Sequence, residues 1–177
     1  MAAEAPVTAD TKDWTWVLTR PCEQCGQDVR TIEPPLVAEA IRDNAANWRR
    51  VLDGPAVGAR PAPGVWSPLE YACHVRDVHR VFATRVSLIL EHDDPLFENW
   101  DQDAAASDYG SQRAQVVAAE LAAAAANVAR RYDQVTPAQW PRPGQRSNGS
   151  TFTLATLAQY HLHDVLHHLW DVEGASA

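Results

Sequence analysis

Apolar positions along the chain fall mostly into helical spacing. Val37, Ile41, Asn44, Trp48 and Val51 recur every three or four residues, which predicts a helix over about 34–53. Pro35 lies near its start and Gly54–Pro55 stop it. The stretch "GPAVGARPAPGVW" reads as a loop from its glycine and proline content. The next helix has the clearest start: in "WSPLE", Ser67 is the N-cap, Pro68 the first helical residue and Glu70 closes a capping box. Leu69, Val78, Val81, Phe82, Val86 and Ile89 carry its apolar surface to about Glu91.

An acidic connection, "HDDPLFENWDQDAAASDYGS", follows and is long enough to cross a bundle or cover a site. The alanine-rich stretch over about 111–135 predicts a third helix, whose small side chains let neighbours approach closely. A second Pro/Gly loop, "TPAQWPRPGQRSNGS", leads to a fourth helix over about 151–172. No repeat and no convincing strand is evident. The pattern predicts an all-α, four-helix bundle with long connections over residues 31–177, preceded by an extended N-terminal arm, residues 1–30. Residues 1–12 are small and polar and are expected to fray, whereas Trp14 and Trp16 in the arm need a surface to pack on.

Composition narrows the function classes. The 177 residues suffice for one domain with a full core, and no apolar run approaches the ~18–20 residues of a membrane span. The opening residues lack the basic and apolar regions of a signal peptide, so a cytoplasmic location is expected. A net charge of −8 argues against nucleic-acid backbones as partners. Three cysteines, two of them close together, do not make a secreted disulfide framework.

The chemistry concentrates near the C-terminus, in "YHLHDVLHHLWDV", which holds four of the seven histidines. His163 and His167, at i and i+4, lie one helical turn apart and can converge on one ion. His161 and His168 are two turns apart, ~10.5 Å along the axis, too far to share a ligand sphere. Hydrophobicity leaves open which side faces inward. Leu157 and Val165 accompany His161 and His168, whereas Tyr160, Leu166 and Trp170 accompany His163 and His167. A helix apolar on both sides is central or lies in an interface, which makes a homodimer one expectation. His74, two turns into the second helix, is the natural third ligand; His79 and His92 read as surface residues.

These segments resemble the DinB/YfiT-like superfamily of metal-binding four-helix bundles, which includes mycothiol-dependent maleylpyruvate isomerase. "WSPLEYACHVRDV" is similar to that family's Trp-Ser-x-x-Glu opening with a histidine further on, and "YHLHDVLHH" to its His-x-x-x-His helix. "KDWTWVLTRPCEQCGQD" and "WPRPGQRSNGSTFTLATL" resemble a subgroup found in actinobacteria. The resemblance implies a divalent-metal site on His74, His163 and His167 with open positions for water or substrate. Zinc is the expected ion, and nickel or iron suits the same donors. Glu70 and Asp77 are the candidates to accept from the far ring nitrogen of His74.

The resemblance further implies a thiol-dependent S-transferase or isomerase with mycothiol as co-substrate and a small electrophile as partner. Arg76, Arg142 and Arg146 are candidates to pair with a carboxylate on either. Two other readings stand beside it. One is a metal-dependent hydrolase in which "HDVLH" varies the zincin motif, with Asp164 as general base. The other is a non-enzymatic metal-binding or interaction protein with a structural site.

Cys22 and Cys25, in "RPCEQCG", have zinc-knuckle or redox spacing without a second cysteine pair. A local disulfide, a zinc half-site completed by Cys73 or a histidine, and two free thiols all remain open. If the arm folds over the bundle, either thiol becomes an additional ligand to the ion. Cys73 reads as a small core residue.

Overall fold

A computed structural model describes residues 13–174; the fraying expected of residues 1–12 lies outside the described residues. Four long helices build the bundle: α1 (Val37–Leu52), α2 (Pro68–Glu91), α4 (Ala114–Asp133) and α5 (Leu154–Gly174), with the short α3 (Gln102–Ala106) in the acidic connection. The α2 start is as its sequence predicts. Ser67 accepts from the Glu70 backbone, and the Glu70 carboxylate accepts from the Ser67 N–H at 2.8 Å.

The helices do not pack in chain order. Both α1 and α2 lie against α4 and against α5, so the ring runs α1–α4–α2–α5; of the consecutive long helices, α2 and α4 are neighbours, while α1 faces α2 and α4 faces α5 across the diagonal. Val37, Ile41, Trp48, Val78, Val86, Ile89, Leu121, Val128, Leu157 and Val165 meet in one buried core. Asn44 ties α1 to α5 by donating to the Val165 carbonyl at 2.9 Å.

Contrary to the sequence reading, a small sheet is present. β1 (Leu96–Phe97) runs parallel to β2 (Pro143–Arg146), which pairs antiparallel with β3 (Thr151–Thr153). These strands are two to four residues long and rich in turn residues, too short to show a period-2 pattern. Gly144 is required in β2, because a Cβ there would stand 2.6 Å from Phe97 Cζ. Arg142, just before β2, donates to the Ile89 and His92 carbonyls and so satisfies the C-terminal end of α2.

The arm does not extend freely. Trp14–Leu18 and Val29–Thr31 form 3-10 turns against α5, with Val17 and Val29 fully buried. This answers the two-sided apolarity of α5: one side meets the bundle and the other is covered by the chain's own arm.

Candidate metal centre

Residues one turn apart on α5 form two rows that serve different neighbours. Tyr160, Asp164, His168 and Asp171 line a cavity of about 1000 Å³, walled also by Trp66, Tyr71 and His74 from the α2 side and by Trp100. His74 Nε2 stands 3.8 Å from Asp164 Oδ1, and His168 Nε2 stands 3.7 Å from the same oxygen. All three donors lie within 4.8 Å of one another. Around an ion with bonds of ~2.1 Å, tetrahedral ligand atoms are separated by roughly 3.4 Å. The two distances to Asp164 exceed this by only a few tenths of an ångström.

Each imidazole is prepared for that role. His74 is buried between Trp66 and Trp100, with ring centroids at 5.3 and 5.4 Å. Burial, with His168 beside it, holds its pKa well below the usual histidine range, so it is neutral and able to donate a lone pair. His168 Nδ1 lies 2.9 Å from Asp171 Oδ2. A carboxylate can only accept, so Nδ1 carries a proton, and Nε2 is the ring nitrogen that faces Asp164.

The second row, His163 and His167, meets the arm. Cys22 Sγ lies 3.7 Å from His167 Nδ1, and Cys25 Sγ lies 3.8 Å from His163 Nε2. These four donors also fall within 4.8 Å of one another. Trp14 covers both rings, with centroids at 5.8 Å from His163 and 5.0 Å from His167. Burial pushes the Cys25 thiol up to about 11, and burial with His167 pulls His163 down to about 4.

Beyond the donors the cavity carries positive charge. Arg85 is 7% exposed, stacks over Phe82 and Phe97, and makes no ion pair or hydrogen bond among the described residues. Burial and nearby Arg146 lower it to about 10, which leaves it charged at neutral pH. Arg85 and Arg146 both line the cavity.

A sequence model of the DinB superfamily matches residues 36–172. The chain belongs to the DinB superfamily. Its fold is similar to that of YfiT from Bacillus subtilis, described as "a probable metal-dependent hydrolase with an unusual four-helix bundle topology". The TM-score is 0.73 at 17% identity, over 81% of this chain and 85% of YfiT. No curated protein matches the chain. The DinB match begins after the arm, so Cys22 and Cys25 lie outside it.

Against this geometry, the residues expected from the DinB resemblance divide. His163 and His167 converge as their spacing predicts, but on Cys22 and Cys25, while His74 meets Asp164 and His168. The i, i+4 pair facing His74 is therefore one position further along α5 than expected, and one member is a carboxylate. Asp164 accordingly stands as a candidate ligand rather than as the general base of a zincin motif. Searching for paired histidines alone hides such a mixed pair.

Glu70 and Asp77 do not serve His74. The Glu70 carboxylate is engaged by Ser67 and Arg60; against burial, these partners hold it below the usual range. Asp77 pairs with Arg76 and Arg80 and accepts from the Tyr109 hydroxyl at 2.9 Å. Of the predicted arginines, Arg76 is engaged by Asp77 and Glu120 and Arg142 by the end of α2, which leaves Arg146 facing the cavity.

His79, read as a surface residue, is fully buried, with Nδ1 3.0 Å from His161 Nε2. His161 in turn reaches the Tyr132 hydroxyl at 3.2 Å. On α2, His79 follows Val78 on the side that packs inward, which its isolated position in the sequence does not reveal. Cys73 is buried, as a small core residue should be.

Proposed function

We propose that this protein is a metal-dependent enzyme in which a low-molecular-weight thiol attacks a small anionic electrophile, with the ion held by His74, Asp164 and His168. The observation that carries the reading is the convergence of these three donors on the wall of a cavity of about 1000 Å³. That volume is at the upper end for small-molecule sites, enough for a co-substrate beside a substrate. Two imidazoles and one carboxylate suit zinc, and nickel or iron accepts the same set. A divalent ion so held lowers the pKa of a bound thiol and supplies the nucleophile at neutral pH.

The chain's own residues then have distinct tasks. Asp171 fixes the ring of His168 and its proton on Nδ1. Trp66 and Trp100 hold His74 in place and exclude water around it. Arg85, charged and without a carboxylate partner, offers its guanidinium to an anionic group on the substrate, with Arg146 contributing at the same cavity. This supports an anionic substrate or co-substrate.

A hydrolytic reading has one observation of its own. A donor set of two histidines and a carboxylate also serves zinc peptidases, where water takes the open position. The test is turnover of electrophile and ester panels by metal-loaded protein, with and without added thiol. Turnover that needs thiol and is lost in His168→Ala supports the transferase reading. Turnover of esters without thiol would replace it with hydrolysis. A wild-type protein that binds no ion at the cavity after reconstitution would end both.

A further inference from the structure

We infer that Cys22, Cys25, His163 and His167 bind a second ion, a zinc, which clasps the N-terminal arm to α5 and fixes the arm as one wall of the cavity. This site is separate from the cavity donors and stands whether or not they catalyse a reaction.

Distance comes first. A tetrahedral zinc with bonds of ~2.3 Å to sulfur and ~2.1 Å to nitrogen sets the S···N edge at roughly 3.6 Å. The two observed S···N separations are 3.7 and 3.8 Å. The ligand spacing agrees: Cys-x-x-Cys supplies one half and His-x-x-x-His the other, the pairings used by structural Cys2His2 sites. Here the halves come from opposite ends of the chain, so the ion would cross-link them.

Backbone geometry supports the cysteine half. Cys22 N–H donates to the Gln27 carbonyl at 2.8 Å, and Gly26 N–H donates to the Cys22 carbonyl at 2.9 Å. Gly26 sits at φ +74, a left-handed conformation that glycine adopts without strain, and this lets the chain reverse so that both thiols face α5. The CxxC turn is closed before any ion arrives, which lowers the ordering cost of binding one.

The chemistry of the set selects the ion. Sulfur with imidazole nitrogen favours zinc over magnesium or calcium, which take oxygen donors. Two thiolates balance the divalent charge, so the burial of Cys22 and both histidines leaves no net charge stranded. Four protein donors fill a tetrahedron, leaving no position for substrate. The role is therefore structural. Asp13, Trp14 and Gln24 of the arm line the cavity, and the clasp would determine where they stand.

The test uses the full chain loaded with cobalt in place of zinc. Expected is a thiolate-to-cobalt charge-transfer band in the wild type, retained in His168→Ala and lost in Cys25→Ser. Metal content should fall from about two equivalents per chain to about one in either variant, through different sites. Should Cys25→Ser fail to fold, X-ray absorption at the zinc edge of His168→Ala, which keeps only this site, decides, with two sulfurs and two nitrogens expected. A coordination shell without sulfur would overturn the clasp. So would a Cys22–Cys25 disulfide in protein isolated under reducing conditions. A thiolate band that survives in His168→Ala also separates this site from the cavity donors, so failure of one leaves the other standing.

Discussion

His167 and His168 are neighbours in the chain, yet they face different clusters, their rings 5.9 Å apart and nearly perpendicular at 79°. His167 Nδ1 approaches Cys22 at 3.7 Å, while His168 Nε2 approaches Asp164 at 3.7 Å. One step along a helix turns a side chain by ~100°, so consecutive histidines suit two sites rather than one. Asp171 lies between them, 2.9 Å from His168 Nδ1 and 3.7 Å from His167 Nε2.

Removing that carboxylate should therefore weaken the cavity site without dismantling it. Asp171→Ala is expected to loosen the cavity ion roughly 10–100-fold, the usual cost of losing a carboxylate behind a metal-bound histidine. Competition with a graded chelator measures this. An unchanged affinity would show that Asp171 does not orient His168.

Arg85 gives a prediction in which stability and binding part company. A buried charge without a carboxylate partner contributes little to folding, so Arg85→Met should leave the melting temperature unchanged or raise it. The same change should raise KM for an anionic substrate by roughly tenfold to a hundredfold, since a charge-assisted hydrogen bond is lost. A lowered melting temperature with unaltered KM would make Arg85 a structural residue.

The buried histidine pair sets a pH dependence. Burial pushes His79 down to about 3, and burial with His79 and Arg85 holds His161 well below the usual range. Both are neutral in the folded chain, whereas unfolded histidines take a proton near pH 6.5. The unfolded state then binds more protons below that pH, so this stability is complete above about 6.5 and declines as pH falls toward 3. His79 alone should cost roughly 2 kcal/mol by about pH 5. Urea midpoints of metal-free protein across this window provide the check. A flat midpoint between about pH 7 and 5 would mean that His79 is protonated inside the fold.

Gly144 marks where β2 crosses the end of α2. A Cβ at that position would lie 2.6 Å from Phe97 Cζ and 2.8 Å from Ile89 Cγ1, both buried and packed. Gly144→Ala should lower stability by roughly 1–3 kcal/mol, as overpacking does. Chemical denaturation would reveal it, and an unshifted midpoint would mean that the sheet can move away from α2.

Features set by local rules were legible in the sequence. The Ser67–Glu70 capping box marks the start of α2 because both partners sit within one turn. Periodic apolar residues place all four long helices to within a few residues of where they lie. The pairing of His163 with His167 was equally readable. Which row of α5 faces His74 was not, because both rows carry an i, i+4 pair of donors and the choice depends on how α5 is rotated against α2. That rotation is set by contacts such as Asn44 with Val165, between residues far apart in sequence. Arg85 was hidden for a similar reason: a cation among Phe82, Val86 and Ile89 reads as solvated until packing encloses it.

The ring order α1–α4–α2–α5 bears on how the chain reaches its native state. Of the three consecutive pairs of long helices, α1–α2 and α4–α5 sit diagonally, so only α2 and α4 can pair as a hairpin of sequence neighbours. The contacts of α1 with α4 and of α5 with α1 and α2 must close loops spanning whole helices, which raises contact order and slows folding relative to up-and-down bundles of the same size. His74 arrives from α2 and Asp164 from α5, so their meeting requires the ring to have closed. Neither half of the chain, expressed separately, has the partners to assemble the cavity cluster.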